Sequence, residues 1–121
     1  MLVRDVMQRD PVVCAADVML DQVAKLMMQF DCRAITVINL AEHPVGVVTD
    51  RDIIRRIVAH GKNPLAYPIQ HCMSCPVVTV SADEPVDNVI AMMHMRRIRQ
   101  VPVVDEDGRC IGLVSDTDVG R

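Results

Sequence analysis

Gly46-Val47-Val48-Thr49-Asp50-Arg51-Asp52 and Gly112-Leu113-Val114-Ser115-Asp116-Thr117-Asp118 are one phrase written twice, 66 residues apart. Each reads as a glycine, three residues ending in a hydroxyl, two spacers and a carboxylate. The same interval separates Met7 from Met73, Asp21 from Asp87, Val23 from Val89, Arg33 from Arg99 and Val37 from Val103. A fixed internal period means one supersecondary unit used more than once. Here it is used twice, with no third copy.

Outward from the first motif, Val45 to Val48 reads as a strand, and Thr49 can cap a helix through Ile53, Ile57 and Val58 that stops at Gly61. Upstream, Ala34-Ile35-Thr36-Val37-Ile38 is β-branched and close enough to Val45 to form a hairpin with it. Before that, Leu20, Val23, Ala24 and Met27 recur at helical spacing from Asp17 onward, with Leu26 and Phe30 alongside. Met7 ends a short lead-in, and Val12-Val13-Cys14 after Pro11 forms a brief extended run. His60 to Pro64 is the linker, with a helix stop and a proline.

The second copy restarts at Ile69 and repeats this order. Ser81 and Glu84 have capping-box spacing, with Pro85 in the expected first turn of a helix carrying Val86, Val89, Ile90 and Met93. Gln100–Val104 and Cys110–Val114 form the second hairpin, joined through the turn Asp105-Glu106-Asp107-Gly108. The last helix is expected to open at Asp116. By the period it is at least a turn short at Arg121, so either this copy is trimmed or the chain continues in a longer polypeptide. Each half has too little sheet and helix to cover its apolar face alone. Stacking the halves about a pseudo-twofold axis buries both faces and leaves paired clefts between them.

Composition narrows the function classes. The 121 residues are 50% hydrophobic and 24% charged, enough for a core without staples. No Trp, one Phe and one Tyr leave aliphatic walls and backbone to grip a planar ligand. A net charge of −3 argues against a nucleic-acid partner. The longest stretch free of Asp, Glu, Lys and Arg, 63–82, holds three prolines and is not a membrane span. Five unevenly spaced cysteines without a secretory leader read as free thiols of a cytoplasmic protein.

These residues resemble a tandem pair of CBS domains, the cystathionine β-synthase module also called a Bateman module. The resemblance rests on the lead-ins ending in Met7 and Met73 and on the Val-Val strands after Pro11 and Pro76. It rests also on Val101-Pro102-Val103 and, above all, on the doubled motif. It implies an α+β fold of two pseudo-twofold-related repeats, each a small sheet in β-α-β-β-α order packed with helices. The repeats would be 1–62 and 67–121, with 63–66 as linker.

The resemblance also implies a regulatory sensor, not an enzyme, that signals to a protein partner or fused domain. It would bind adenosine-containing molecules in the inter-repeat clefts: AMP, ADP, ATP, S-adenosylmethionine or NAD-type ligands. Such a ligand is an effector, and no further cofactor is required. By position, Asp52 and Asp118 would accept from ribose hydroxyls, and Thr49 and Ser115 would contact ribose or phosphate. Arg33, Arg99 and Arg51 would bind phosphate. Ile35-Thr36-Val37 and Val101-Pro102-Val103, with backbone near Val13 and Val78, would line the adenine pocket. A homodimer through Ile53, Ile57, Val58, Leu26, Met92 and Met93 is expected. The alternative is a structural dimerisation or docking adaptor whose clefts stay empty.

The chemistry of the residues agrees with this. An ionised carboxylate accepts two hydrogen bonds and suits a ribose diol. A glycine before the hydroxyl lets backbone approach a ligand. Thr49-x-x-Asp52 and Ser115-x-x-Asp118 equally satisfy a capping box, and the two roles can coexist. Thr36 stands where the second copy has Pro102, and Thr117 where the first has Arg51, so the clefts are not equivalent. The pair Cys72 and Cys75 has no second pair to complete a zinc site, so no metal is expected. No nucleophile, base and oxyanion set can be assembled, and there is no Walker-type glycine loop.

Overall fold

The computed structural model describes residues 1–74 and 76–120. Its elements run α1 (Val3–Val6), β1 (Gln8–Arg9), β2 (Val13–Cys14), α2 (Leu20–Gln29), β3 (Ala34–Ile38), β4 (Pro44–Thr49) and α3 (Asp50–Arg56). Three single 3₁₀ turns over 58–60, 64–66 and 69–71 follow. The second half contains β5 (Val80–Ser81), α4 (Val86–Arg96), β6 (Gln100–Val104) and β7 (Cys110–Ser115).

Both expected hairpins form. Antiparallel β3–β4 pairs Ile35 with Val48, and β6–β7 pairs Val101 with Val114, each irregular near its far end. The short strands lie parallel to the hairpins, β2 on β3 and β5 on β6. One sheet is therefore β2-β3-β4 and the other β1-β7-β6-β5. Helix α2 buries Leu20, Val23 and Met27 of its expected stripe and leaves Ala24 exposed, and α4 buries Val86, Val89 and Met93 with Ile90 half-buried.

The lead-ins cross over. Val3, fully buried, belongs to the core of the second half, and β1 pairs antiparallel with β7. Its amide donates to the Glu84 carbonyl (2.9 Å), the Arg4 amide donates to Ala82, and Arg4 pairs with Asp83. Conversely, Ile69 and Cys72, both fully buried, complete the core of the first half beside Val23, Val37 and Val48. The Ile69 amide donates to Val18 (2.8 Å), and the Leu20 amide to Tyr67 (2.9 Å). Sequence repeat and packed unit are thus cut differently, and each half depends on the other for its floor.

The glycines of the motif serve this exchange. A Cβ on Gly46 would lie 2.6 Å from Met73 Sδ, and one on Gly112 would lie 2.8 Å from Met7 Sδ. The space that the sequence suggests for a ligand is filled by the methionine of the crossed lead-in.

Three further expectations change. Residues 116–120 are a turn, not a helix. Helix α4 starts at Val86 with Pro85 as its cap residue, while the Ser81 hydroxyl accepts from the Asp83 amide within the preceding turn. Ile53, Ile57 and Met93 are core residues, 8%, 1% and 5% exposed, so they cannot form a dimer face. The apolar side chains left outside include Met28, Phe30, Ile54, Val58 and Met95.

Candidate functional site

Thr49 closes β4 and caps α3. Its extended backbone (φ −104°, ψ 163°) turns the hydroxyl to accept from the Asp52 amide at 3.1 Å. Asp52 Oδ2 accepts from the Thr49 amide in return, at 2.9 Å. This reciprocal pair is a capping box with Asp in the glutamate position. It uses one carboxylate oxygen and leaves Oδ1 without a partner among the described residues. Cap and ligand contact are therefore compatible at Asp52.

The copy at Ser115 repeats the box and then exhausts it. Asp118 Oδ2 accepts from the Ser115 amide (2.8 Å) and the Ser115 hydroxyl (2.9 Å). The Gln8 side-chain amide reaches both Asp118 oxygens, at 3.2 and 3.1 Å. The position that answers Gln8 by the 66-residue period is Ser74, whose hydroxyl instead accepts from Arg56 at 2.8 Å. One acid is clamped by the crossed lead-in and the other is not.

A second asymmetry acts on the backbone. In the first half the Thr36 amide donates to the Val12 carbonyl at 3.1 Å. In the second half Pro102 has no amide to give. The corresponding carbonyl, Val78, has no donor among the described residues, and β5 starts only at Val80. Thr36 itself is fully buried with its hydroxyl unpartnered at bonding distance.

The free acid and the free carbonyl belong to the same cleft. Its volume is about 930 Å³, within the range of small-molecule sites. Of the residues singled out from sequence, Asp52, Thr49, Arg51, Arg33, Arg99 and Val78 line it. Others lie elsewhere. Ile35, Val37, Val101 and Val103 have no exposed surface and belong to the two cores. Thr36 and Pro102, their alternating neighbours, are also buried, and Val13 sits on β2 away from the cleft. Ser115 is 5% exposed and occupied with its cap.

The sequence reading missed Arg55, Arg56 and Arg97, which join the lining with Asp50, Val77, Ile98 and Asp116. Arg55 and Arg56 lie three and four residues after Asp52, on its face of the helix, and that spacing could have flagged them. Arg97 could not be found that way. It ends α4 in the left-handed region (φ 55°), where the chain turns back toward the cleft. Arg56 is anchored, its Nη1 donating to the Cys72 carbonyl at 3.0 Å, and Arg99 lies 3.8 Å from Asp116.

The thiols are poor ligands and nucleophiles. Burial pushes Cys14 and Cys72 up to about 11, aided by the negative charges of Asp17 and Asp52 respectively, with Arg56 opposing at Cys72. The four described cysteines are free, and Cys75 lies outside the described residues. Among the described residues no group of His, Cys, Asp and Glu has metal-site geometry.

Comparison with known proteins places this geometry. The CBS-domain family model matches residues 3–59 and 69–120. An uncharacterized protein of Methanopyrus kandleri is 32% identical over 116 residues, covering 96% of this chain and 57% of the relative. The L-aspartate semialdehyde sulfurtransferase of Methanocaldococcus jannaschii is 28% identical over 120 residues, covering 99% of this chain and 23% of the relative. The chain spans about half or less of the length of these relatives. Among solved structures, the CBS domain pair of protein MJ0100, in complex with 5′-methylthioadenosine and S-adenosyl-L-methionine, is similar with a TM-score of 0.89. Identity is 29%, over all of this chain and 94% of that one. A hexameric CBS-CP12 protein from bloom-forming cyanobacteria is similar with a TM-score of 0.90 and 26% identity, over 98% of this chain and 69% of that one.

Proposed function

The chain belongs to the CBS domain family, and from that premise we propose that it is a regulatory module that binds one adenosine-containing ligand in the cleft beside Asp52. Asp52 Oδ1 accepts a ribose hydroxyl while Oδ2 keeps the helix cap. The Val78 carbonyl, left without a donor by Pro102, accepts from an adenine amino group. Apolar walls at Val47, Val77 and Ile98 hold the base. The observation that carries this reading is the pairing of a free carboxylate oxygen and a free backbone carbonyl on one cleft. The pseudo-symmetric pair, Asp118 and the Val12 carbonyl, offers neither, because Gln8 occupies Asp118 and Thr36 occupies Val12.

The module has no catalytic role in this reading. Ligand occupancy couples the halves, since the cleft draws on both and each half rests on the other's lead-in. That coupling is the signal passed to a fused domain or partner of a cytoplasmic protein. The test is a thermal-shift panel of adenosine, AMP, ADP, ATP, S-adenosylmethionine and NADH. A ligand at 100 times its dissociation constant adds ~2.7 kcal/mol to stability. At least one member of the panel should raise the melting temperature of the wild type and not of Asp52→Asn. No shift across the whole panel refutes the reading.

A second reading is an association module. Met28 and Met95 are each 84% exposed, and Ile54 is 58% exposed, on three different helices. Burial of such side chains favours a homodimer. Light scattering at micromolar concentration tests it, and a monomer there refutes it.

A further inference from the structure

Arg56 ends α3 and reaches the crossed lead-in of the second half at two points. Its Nη1 donates to the Cys72 carbonyl at 3.0 Å and its Nη2 to the Ser74 hydroxyl at 2.8 Å. A guanidinium fork holds two acceptors in a fixed relative position. Cys72 is fully buried in the core of the first half, so one end of this tie is immobile. Two residues beyond Ser74 the same segment becomes a wall of the cleft, at Pro76, Val77 and Val78. That wall precedes β5, whose ladder with β6 holds only Val80 and Ser81. Its counterpart in the first half has one more fastening, the Thr36 amide on the Val12 carbonyl. Pro102 cannot supply that bond to Val78. The wall is thus fixed by β5 at one end and by Arg56 at the other.

The two lead-ins show what this tie does. By the 66-residue period Gln8 answers Ser74. Gln8 turns to the motif acid and reaches both oxygens of Asp118. Ser74 turns to Arg56, and Asp52 Oδ1 keeps no partner among the described residues. Where an arginine draws the lead-in to itself the acid stays free, and where the lead-in side chain goes to the acid the acid is clamped.

We infer that Arg56 is a positioning residue of this cleft: by fastening Cys72 and Ser74 it keeps the lead-in off Asp52 and holds the 76–78 wall in place. The inference rests on the reading that the cleft takes an adenosine-containing ligand, and adds what keeps that site open. Arg56 acts through the wall and does not touch the ligand.

Two measurements test it on Arg56→Met, which keeps an apolar stem and removes the donors, and on Arg56→Lys, which keeps the charge but not the fork. Arg56 is exposed, so both variants should fold. The first measurement needs no ligand. A neutral thiol reagent labels the native protein at about pH 8, and mass spectrometry follows Cys72 with Cys14 as the internal control. Burial and the Asp52 charge push the Cys72 thiol up, and Arg56 opposes them. Loss of that charge alone would therefore slow labelling, whereas a loosened lead-in speeds it. Arg56→Met should label Cys72 about threefold faster or more, the equivalent of one net hydrogen bond, with Cys14 unchanged. Arg56→Lys should fall between, and Arg55→Met should keep the wild-type rate. An unchanged or slower rate in Arg56→Met, or a rise shared by Cys14 or by Arg55→Met, would overturn the inference.

The second measurement is calorimetric titration with adenosine and with ATP at about 0.3 M salt, where long-range charge effects are screened. A displaced wall lowers the binding-competent fraction, so Arg56→Met should weaken both ligands by the same factor, about three- to tenfold. Arg56→Lys should recover part of the loss. A loss confined to ATP would mean direct contact with phosphate and would overturn the positioning role. If the wild type binds neither, the adenosine reading falls, and the labelling alone decides whether Arg56 holds the wall.

Discussion

Gly46→Ala should destabilise the protein through a residue distant in sequence, and the partner identifies the architecture. The new Cβ would lie 2.6 Å from Met73 Sδ, 2.9 Å from Met73 Cβ and 3.0 Å from Met73 Cγ. The sulfur can swing away, but the Met73 Cβ is fixed to its backbone, so the crossed lead-in must shift. Overpacking of this kind costs about 1–3 kcal/mol. At this chain length each kcal/mol moves the melting temperature by roughly 3–5 °C. Guanidinium unfolding of a double-mutant cycle reads the partner directly. Met73→Ala removes the Sδ and Cγ contacts, so Gly46→Ala should cost less in that background, with a coupling of at least ~0.5 kcal/mol. In a Met7→Ala background the cost of Gly46→Ala should be unchanged. For Gly112→Ala the assignment reverses, because its Cβ meets Met7 Sδ at 2.8 Å. A coupling of Gly46 to Met7 would mean that each lead-in packs on its own repeat, and the crossed fold would be refuted.

Thr49→Ala removes the hydroxyl that accepts from the Asp52 amide, so stability should fall by ~1 kcal/mol while Thr49→Ser stays near wild type in the same unfolding assay. Gln8→Ala frees Asp118 Oδ1 while Oδ2 keeps its contacts to Ser115, and calorimetry should then detect a second, weaker ligand site; an unchanged stoichiometry would show that Gln8 is not what closes it. Folding raises Cys14 and Cys72 from 9.0 to about 11, so the native state holds their protons more tightly than the unfolded chain. That stability is intact below pH 9 and is lost as pH rises through 11. Chemical unfolding across this window should show the decline, and a thiol reagent at about pH 8 should label fewer cysteines in the native than in the unfolded protein.

Much of the architecture was legible because it rests on local patterns. The stripes Leu20-Val23-Met27 and Val86-Val89-Met93 and the β-branched hairpins needed only periodicity, and the 66-residue interval supplied the pairing of halves. The crossed lead-ins were not legible, because a repeat states which segments are alike and not which ones touch. For the same reason Gly46 suggested an open approach for a ligand, when its space belongs to Met73. The apolar residues flanking Thr36 and Pro102 read as pocket walls, yet period-two alternation turns Ile35, Val37, Val101 and Val103 into the cores. The inequality of the clefts was visible in Thr36 against Pro102. Its physical content, a carbonyl tied in one half and free in the other, required the strand register.

The most direct test is calorimetric stoichiometry, with the panel member that raises the melting temperature most, on the wild type, Asp52→Asn and Asp118→Asn. The side-chain oxygen that Asp52→Asn retains can still accept from the Thr49 amide, so the cap survives while the free acceptor becomes a donor. We expect one ligand per chain, lost in Asp52→Asn and retained in Asp118→Asn. Two ligands per chain, or binding that survives Asp52→Asn, would contradict it.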